Sequence, residues 1–232
     1  MRLPQQAGSS ADEPIDTIKA RVASSLEMQV DSLQNAAREG RGVLAPTVQL
    51  GVPLRMIFAD LPDGVPYYIL LHNRIADVRD IVNKADPGWK FLFLDQNPAR
   101  QIMRAFESGA VVICNIDHAY PQAEVTLAPV LGHWAIIPSG IFRIARKLNI
   151  PVVPIVMEER PDGACLSSGE RIEWPAFEAE PLPIAALLRL LHKHLDAAVA
   201  RVPDQWIGWG SLWYRWTAWQ TQQAAGQKGR LA

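Results

Sequence analysis

The sequence predicts an α/β domain: a central, largely parallel (mixed) sheet flanked by helices, behind an N-terminal helical segment. Three observations carry that expectation. Runs such as "YYILL" (67–71), "WKFLFL" (89–94), "AVVICNI" (110–116) and "IPVVPIVM" (150–157) are apolar at nearly every position, as strands buried on both faces are. Amphipathic stretches separate these runs, and alternation of strand and helix favours parallel pairing. A chain of 232 residues with 49 % apolar content can bury one substantial core. A single domain is therefore expected over 14–220, with mobile ends at 1–13 and 221–232.

Taken in order, residues 13–40 space Ile15, Ile18, Val22, Leu26, Val30 and Leu33 by threes and fours, which predicts an amphipathic helix or a pair of them ending at Gly40. A Pro- and Gly-rich loop leads to the strand at 67–71. "RIADVRDIVNKA" then predicts a helix stopped by Asp86-Pro87-Gly88. After the strand at 89–94, "NPARQIMRAFES" predicts a helix with Asn97 as cap and Pro98 in its first position, where the missing N–H costs nothing. The strand at 110–116, a helix over "SGIFRIARKLN" with Ser139 or Gly140 near its start, and the strand at 150–157 continue the pattern. A hairpin is expected around Pro161-Asp162-Gly163, followed by a helix over "PIAALLRLLHKHLDAAVARV".

Composition excludes several classes. A formal charge of -1 with scattered basic residues leaves no electrostatic footprint for nucleic acid. Cys114 and Cys165 form neither a disulfide framework nor a Cys-x-x-Cys metal set, which suits a reducing cytoplasm. The opening residues lack an apolar signal core, and no stretch reaches the roughly 18–20 apolar residues of a membrane span. G-x-S-x-G, the Walker P-loop, G-x-G-x-x-G and H-E-x-x-H do not occur, which argues against the corresponding hydrolases, nucleotide enzymes and zincins. No cofactor or metal is expected.

In an α/β sheet the ligand crevice lies at the strand carboxyl ends, and both His72 and Asp117 stand there. On one continuous helix, His72 and Asp77 would point about 140° apart, so they can meet only across a strand-to-helix turn. The sequence predicts that turn. A carboxylate accepting the imidazole N–H fixes the tautomer and leaves the other nitrogen to take a proton, which is a general base without a protein nucleophile. The bland alternative is a surface histidine followed by an unrelated helix aspartate. Asp117 and His118 could touch substrate or simply end a strand, and as two adjacent groups they make a poor metal site. His133 is expected in a loop or the core, and His192 and His194 exposed on their helix. Five of the eight tryptophans, Trp206, Trp209, Trp213, Trp216 and Trp219, form a stripe at helical spacing. It reads either as a core-packed face or as an amphipathic surface for a membrane interface or acyl chain, with Arg215 inside it.

"ILLHNRIAD", "ESGAVVICNIDHAYPQAEVTLAPVLG", "PSGIFRIARKLNIPVVPIVMEERPDG" and "VPDQWIGW" occur in an order that resembles the bacterial lipid A biosynthesis acyltransferases of the lauroyl/myristoyl type. These belong to the lysophospholipid acyltransferase-like superfamily, whose signature is H-x4-D or H-x4-E. The resemblance spans roughly residues 65–216. It implies an acyltransferase-type fold with His72 as catalytic base, Asp77 as its orienting acid and Asp117 as a second important acid. It further implies an acyl carrier protein or coenzyme A thioester as donor and a hydroxyl or amine acceptor. His118, Arg104 and Arg215 are then candidate substrate contacts, Arg104 (or Arg100) standing in for a family arginine whose segment is shortened here. The chain departs from the family in lacking the apolar N-terminal anchor, the paired late arginines and any Phe-Pro-Glu-Gly-Thr phosphate block. The expectation is a cytoplasmic enzyme acting on a small soluble acceptor, or a peripheral one contacting the inner face of the cytoplasmic membrane through the Trp-rich tail. A non-catalytic module that binds an acyl chain or acyl carrier protein is the alternative.

Overall fold

The computed structural model of the protein describes residues 24–51, 64–71, 89–93, 97–117 and 124–210, with the single positions 17, 212, 216 and 217. The ends expected to be mobile, and the helix expected after residue 73, lie outside them.

At the centre is an all-parallel sheet of β2 (Val43–Thr47), β5 (Val111–Asn115), β3 (Tyr67–Leu71) and β4 (Trp89–Phe93), in that spatial order. Alternation along β5 builds a core on each face. Val112 and Cys114 pack with Phe106, Phe142 and Leu187, and Val111 and Ile113 with Leu33, Ala36 and Met157. This is the arrangement the doubly apolar runs require. A second, mixed sheet orders β1 (Leu26–Gln29), β9 (Gly163–Ser168) and β8 (Ile155–Arg160), and a third is the antiparallel hairpin β6 (Val125–Val130) and β7 (His133–Pro138). The expected Pro161-Asp162-Gly163 turn joins β8 to β9. Gly163 is needed there, since a Cβ would stand 2.1 Å from the Ser25 carbonyl oxygen.

Among the described residues the named α-helices are α1 (Asp31–Arg38), α2 (Pro98–Glu107), α3 (Gly140–Lys147) and α4 (Pro183–Arg201). Pro98 opens α2 as expected, but Asn97 caps nothing with its side chain and instead takes a left-handed turn (φ 48°). Ser139 likewise turns away from α3, its hydroxyl donating to the Glu124 carbonyl at 3.2 Å.

Several expectations are corrected. The N-terminal helical stretch is split by β1: Leu26 and Met28 turn inward, Glu27 and Gln29 outward, and parallel pairing with β9 overrides a spacing that a helix would also have satisfied. β2 lies inside the loop expected after Gly40. Pro46 is tolerated there because it faces away from β5, on the side where Leu44 bonds Pro151 and Val153. The strand anticipated from residue 150 begins only at Ile155, residues 151–153 serving as that short bridge to β2. Pro203 ends α4, so Trp206 is extended and leaves the helical stripe. His192 is buried at 1 % exposure, its Nδ1 3.2 Å from Asp196 Oδ1, and His194 is half-buried rather than exposed. His133 is neither loop nor core. It opens β7, exposed, with its ring centroid 4.6 Å from that of Trp216.

Candidate active site

Parallel register brings three strand ends to one edge. Leu70 lies beside Cys114, and Thr47 beside Asn115, so the chain leaves β2, β3 and β5 side by side. Asp117 follows β5 by two residues and is buried at 1 % exposure. Its Oδ2 accepts the Gln49 backbone N–H at 2.7 Å and the Trp206 indole N–H at 2.9 Å. A buried carboxylate needs such donors, and these two come from the end of β2 and from the segment after α4.

That segment is fastened along the same edge. The Gln205 carboxamide bonds both the N–H (2.8 Å) and the C=O (2.9 Å) of Glu159 on β8, while the Gly51 N–H donates to the Gln205 carbonyl at 3.2 Å. The Ile207 N–H in turn donates to the Gln49 carbonyl at 3.0 Å. Asp117 is thus the joint of a clamp holding residues 203–207 against the strand ends. Gln49 and Gln205 are candidate-site neighbours that sequence reasoning missed, and Trp206, expected on a helical stripe, joins them. Pro203, breaking the helix ahead of Trp206, was the available signal.

Of the expected site residues, His72, Asp77, His118 and Arg215 lie outside the described residues. Arg104 is placed elsewhere. α2 runs back from β4 to the start of β5, where the Ala110 N–H bonds the Ala105 carbonyl at 3.1 Å and the Val43 N–H bonds the Ala110 carbonyl at 2.9 Å. Arg104, in the last turn of α2, therefore sits toward the edge opposite Asp117. Near the strand ends, burial pushes the Cys114 thiol up to about 12, so it offers no thiolate at neutral pH.

A cavity of about 1160 Å³ opens on that opposite edge, between β1, residues 168–173 and α4, lined by Met28, Arg171, Phe177, Leu190 and His194 among others. Burial lowers the His194 pKa. A cavity of this volume could hold a ligand, but it lies away from the strand carboxyl ends, where parallel α/β sheets bind ligands. The strand ends are the better candidate. Among the described residues, no helix is long and apolar enough to cross a membrane.

Parallel strands ending beside a buried acid, with helices on both faces, make an α/β fold that has a likeness among solved structures. In particular, the chain is similar to the 1-acyl-sn-glycerophosphate (LPA) acyltransferase, PlsC, from Thermotoga maritima, over 83 % of this chain and 79 % of that one, with a TM-score of 0.50. At 14 % identity the likeness is one of fold. No protein-family model matches the chain, and no curated protein matches it in sequence.

Proposed function

We propose that the protein is an acyltransferase that moves an acyl group from an acyl carrier protein or coenzyme A thioester to a hydroxyl or amine acceptor. His72 is the general base, Asp77 the acid that orients it, and Asp117 the support of the strand-end edge. The observation that carries this reading is the register of β3 with β5. It sets the last residue of β3, which His72 follows directly in the chain, on the same edge as Asp117. The acyltransferase fold supports it, as do the ordered sequence blocks that resemble the lauroyl/myristoyl type.

In the proposed reaction the His72 imidazole takes the acceptor proton as the acceptor oxygen or nitrogen attacks the thioester carbonyl. The C–S bond then breaks, and the imidazolium returns the proton to the departing thiolate, so no acyl-enzyme forms. The Asp77 carboxylate stabilises the imidazolium. His118 and Arg215 are assigned to substrate contact. Ile207 and Trp209, 63 % and 48 % exposed beside the clamp, supply the apolar surface for peripheral membrane contact.

Thiol release from C8–C16 acyl thioesters tests the proposal. Release that requires a hydroxyl or amine acceptor, with acylated acceptor identified by mass, supports it. Thioester binding without acceptor-dependent release would make the chain a binding module instead.

A further inference from the structure

Two neighbouring helices carry an electrostatic imbalance that the proposed chemistry does not use. α2 and α3 pack against each other and both run back from the strand-end edge. Their exposed positions hold Arg100, Arg104, Arg143, Arg146 and Lys147 against Glu107 alone. Arg143 pairs with Glu124 at 2.8 Å, but Arg100, Arg104, Arg146 and Lys147 have no ion-pair partner among the described residues. Elsewhere Arg41, Arg160, Arg171, Arg189 and Arg201 each meet a carboxylate. In a chain of net charge -1, four cations without an ion-pair partner among the described residues, set against one glutamate on the same pair of helices, are a local excess. A shallow cavity of about 620 Å³, lined by Pro98, Arg100, Met103, Arg104 and Glu107, lies along the α2 part of this face.

We infer that the α2–α3 face docks an acidic carrier protein that delivers the acyl thioester, an assignment that rests on the acyl-transfer reading above. Charge and layout both point to a protein. Arg100 and Arg104 stand one helical turn apart, about 6 Å along the axis, the spacing at which an acidic helix presents its own carboxylates. Arg146 and Lys147 lie on the second helix, about 8–10 Å away axis to axis, so the cations cover an area rather than one phosphate-sized point. A lipid surface would require large apolar side chains beside the cations. Among the described residues the exposed ones are Trp134, Leu182, Leu190, Ile207 and Trp209, and none is on α2 or α3. Because both helices begin near the strand ends, a carrier seated on them brings its thioester arm to the candidate site.

The test compares lauroyl–acyl carrier protein with lauroyl coenzyme A as donors, using the full chain and the Arg146→Glu/Lys147→Glu double variant. The ratio of kcat/KM for the carrier-bound donor to that for the coenzyme A donor should fall on the order of tenfold, and carrier binding should weaken as salt is raised. Arg38→Glu, an exposed charge reversal on α1, should leave the ratio as it is. Arg146→Gln/Lys147→Gln should fall between wild type and the reversal. Turnover with an unchanged ratio overturns the docking face and leaves acyl transfer standing. If neither donor turns over yet salt-sensitive carrier binding is lost in the double variant, the docking face stands and acyl transfer falls. Charge-dependent binding to anionic vesicles, with the carrier unbound, overturns the docking face in favour of a lipid surface.

Discussion

The two edges of the parallel sheet hold their carboxylates in opposite ways. At the strand carboxyl ends, Asp117 is buried and held by neutral N–H donors from Gln49 and Trp206. At the other edge, Glu39 and Glu173 are bound by Arg41 and Arg171 in a network open to water. The arginine network has the greater number of ion pairs, but exposed pairs contribute little, because water and salt screen them. The Asp117 joint is made, among the described residues, by the Gln49 and Trp206 N–H groups, and the buried Trp206 donor would be stranded in the interior without it. Of the two carboxylate sites, the buried joint is therefore the one expected to contribute more to stability.

Breaking the buried joint should have the largest effect on stability. Asp117→Ala leaves the buried Trp206 indole N–H and the part-buried Gln49 N–H without this acceptor, at a cost of about 2–3 kcal/mol, read as a lower urea midpoint at unchanged slope. Asp117→Asn, which keeps one acceptor oxygen, should lose less. Trp206→Phe keeps the ring and removes one donor, and about 1–2 kcal/mol is expected in the same assay. If Asp117→Ala unfolds at the wild-type midpoint, the clamp does not hold this edge.

The exposed network should respond least and mainly to pH. The hydrogen bond from Arg171, with further help from Arg41, lowers the Glu39 pKa from 4.5 to about 2. Since the folded value lies below the unfolded one, the pairing stabilises the fold above about pH 4.5. That contribution fades as the pH falls toward 2. Arg171→Gln should lower the neutral-pH midpoint slightly and flatten the stability profile in that window, so that variant and wild type converge as the pH falls toward 2. A neutral-pH loss as large as that of Asp117→Ala would erase the contrast between the edges.

The parallel sheet was legible because its strands are apolar on both faces, and the hairpin because Pro-Asp-Gly can do little else. β1 was hidden, since Leu26, Val30 and Leu33 satisfy a helical period as well as Leu26 and Met28 satisfy a strand. β2 was hidden by Pro46, whose tolerance depends on which neighbour each side of the strand meets. Hairpin β6–β7 contains Pro129 and Pro138 and lacks clean alternation. The acid at position 117 was visible as a strand-end residue, but its partners are 68 and 89 residues away in the chain, beyond any local pattern. In sequence, His192 is one polar position on an amphipathic helix. Only the packing of α4 against β6 buries it, with Asp196 also accepting the Leu131 N–H at 2.6 Å.

The central claim is that His72 activates the acceptor. It is tested most directly by acceptor-dependent thiol release from an acyl thioester by His72→Ala beside the wild-type chain. The account predicts a loss in kcat of about 10²–10⁴-fold, with the urea midpoint retained. Turnover by His72→Ala at the wild-type rate would contradict it.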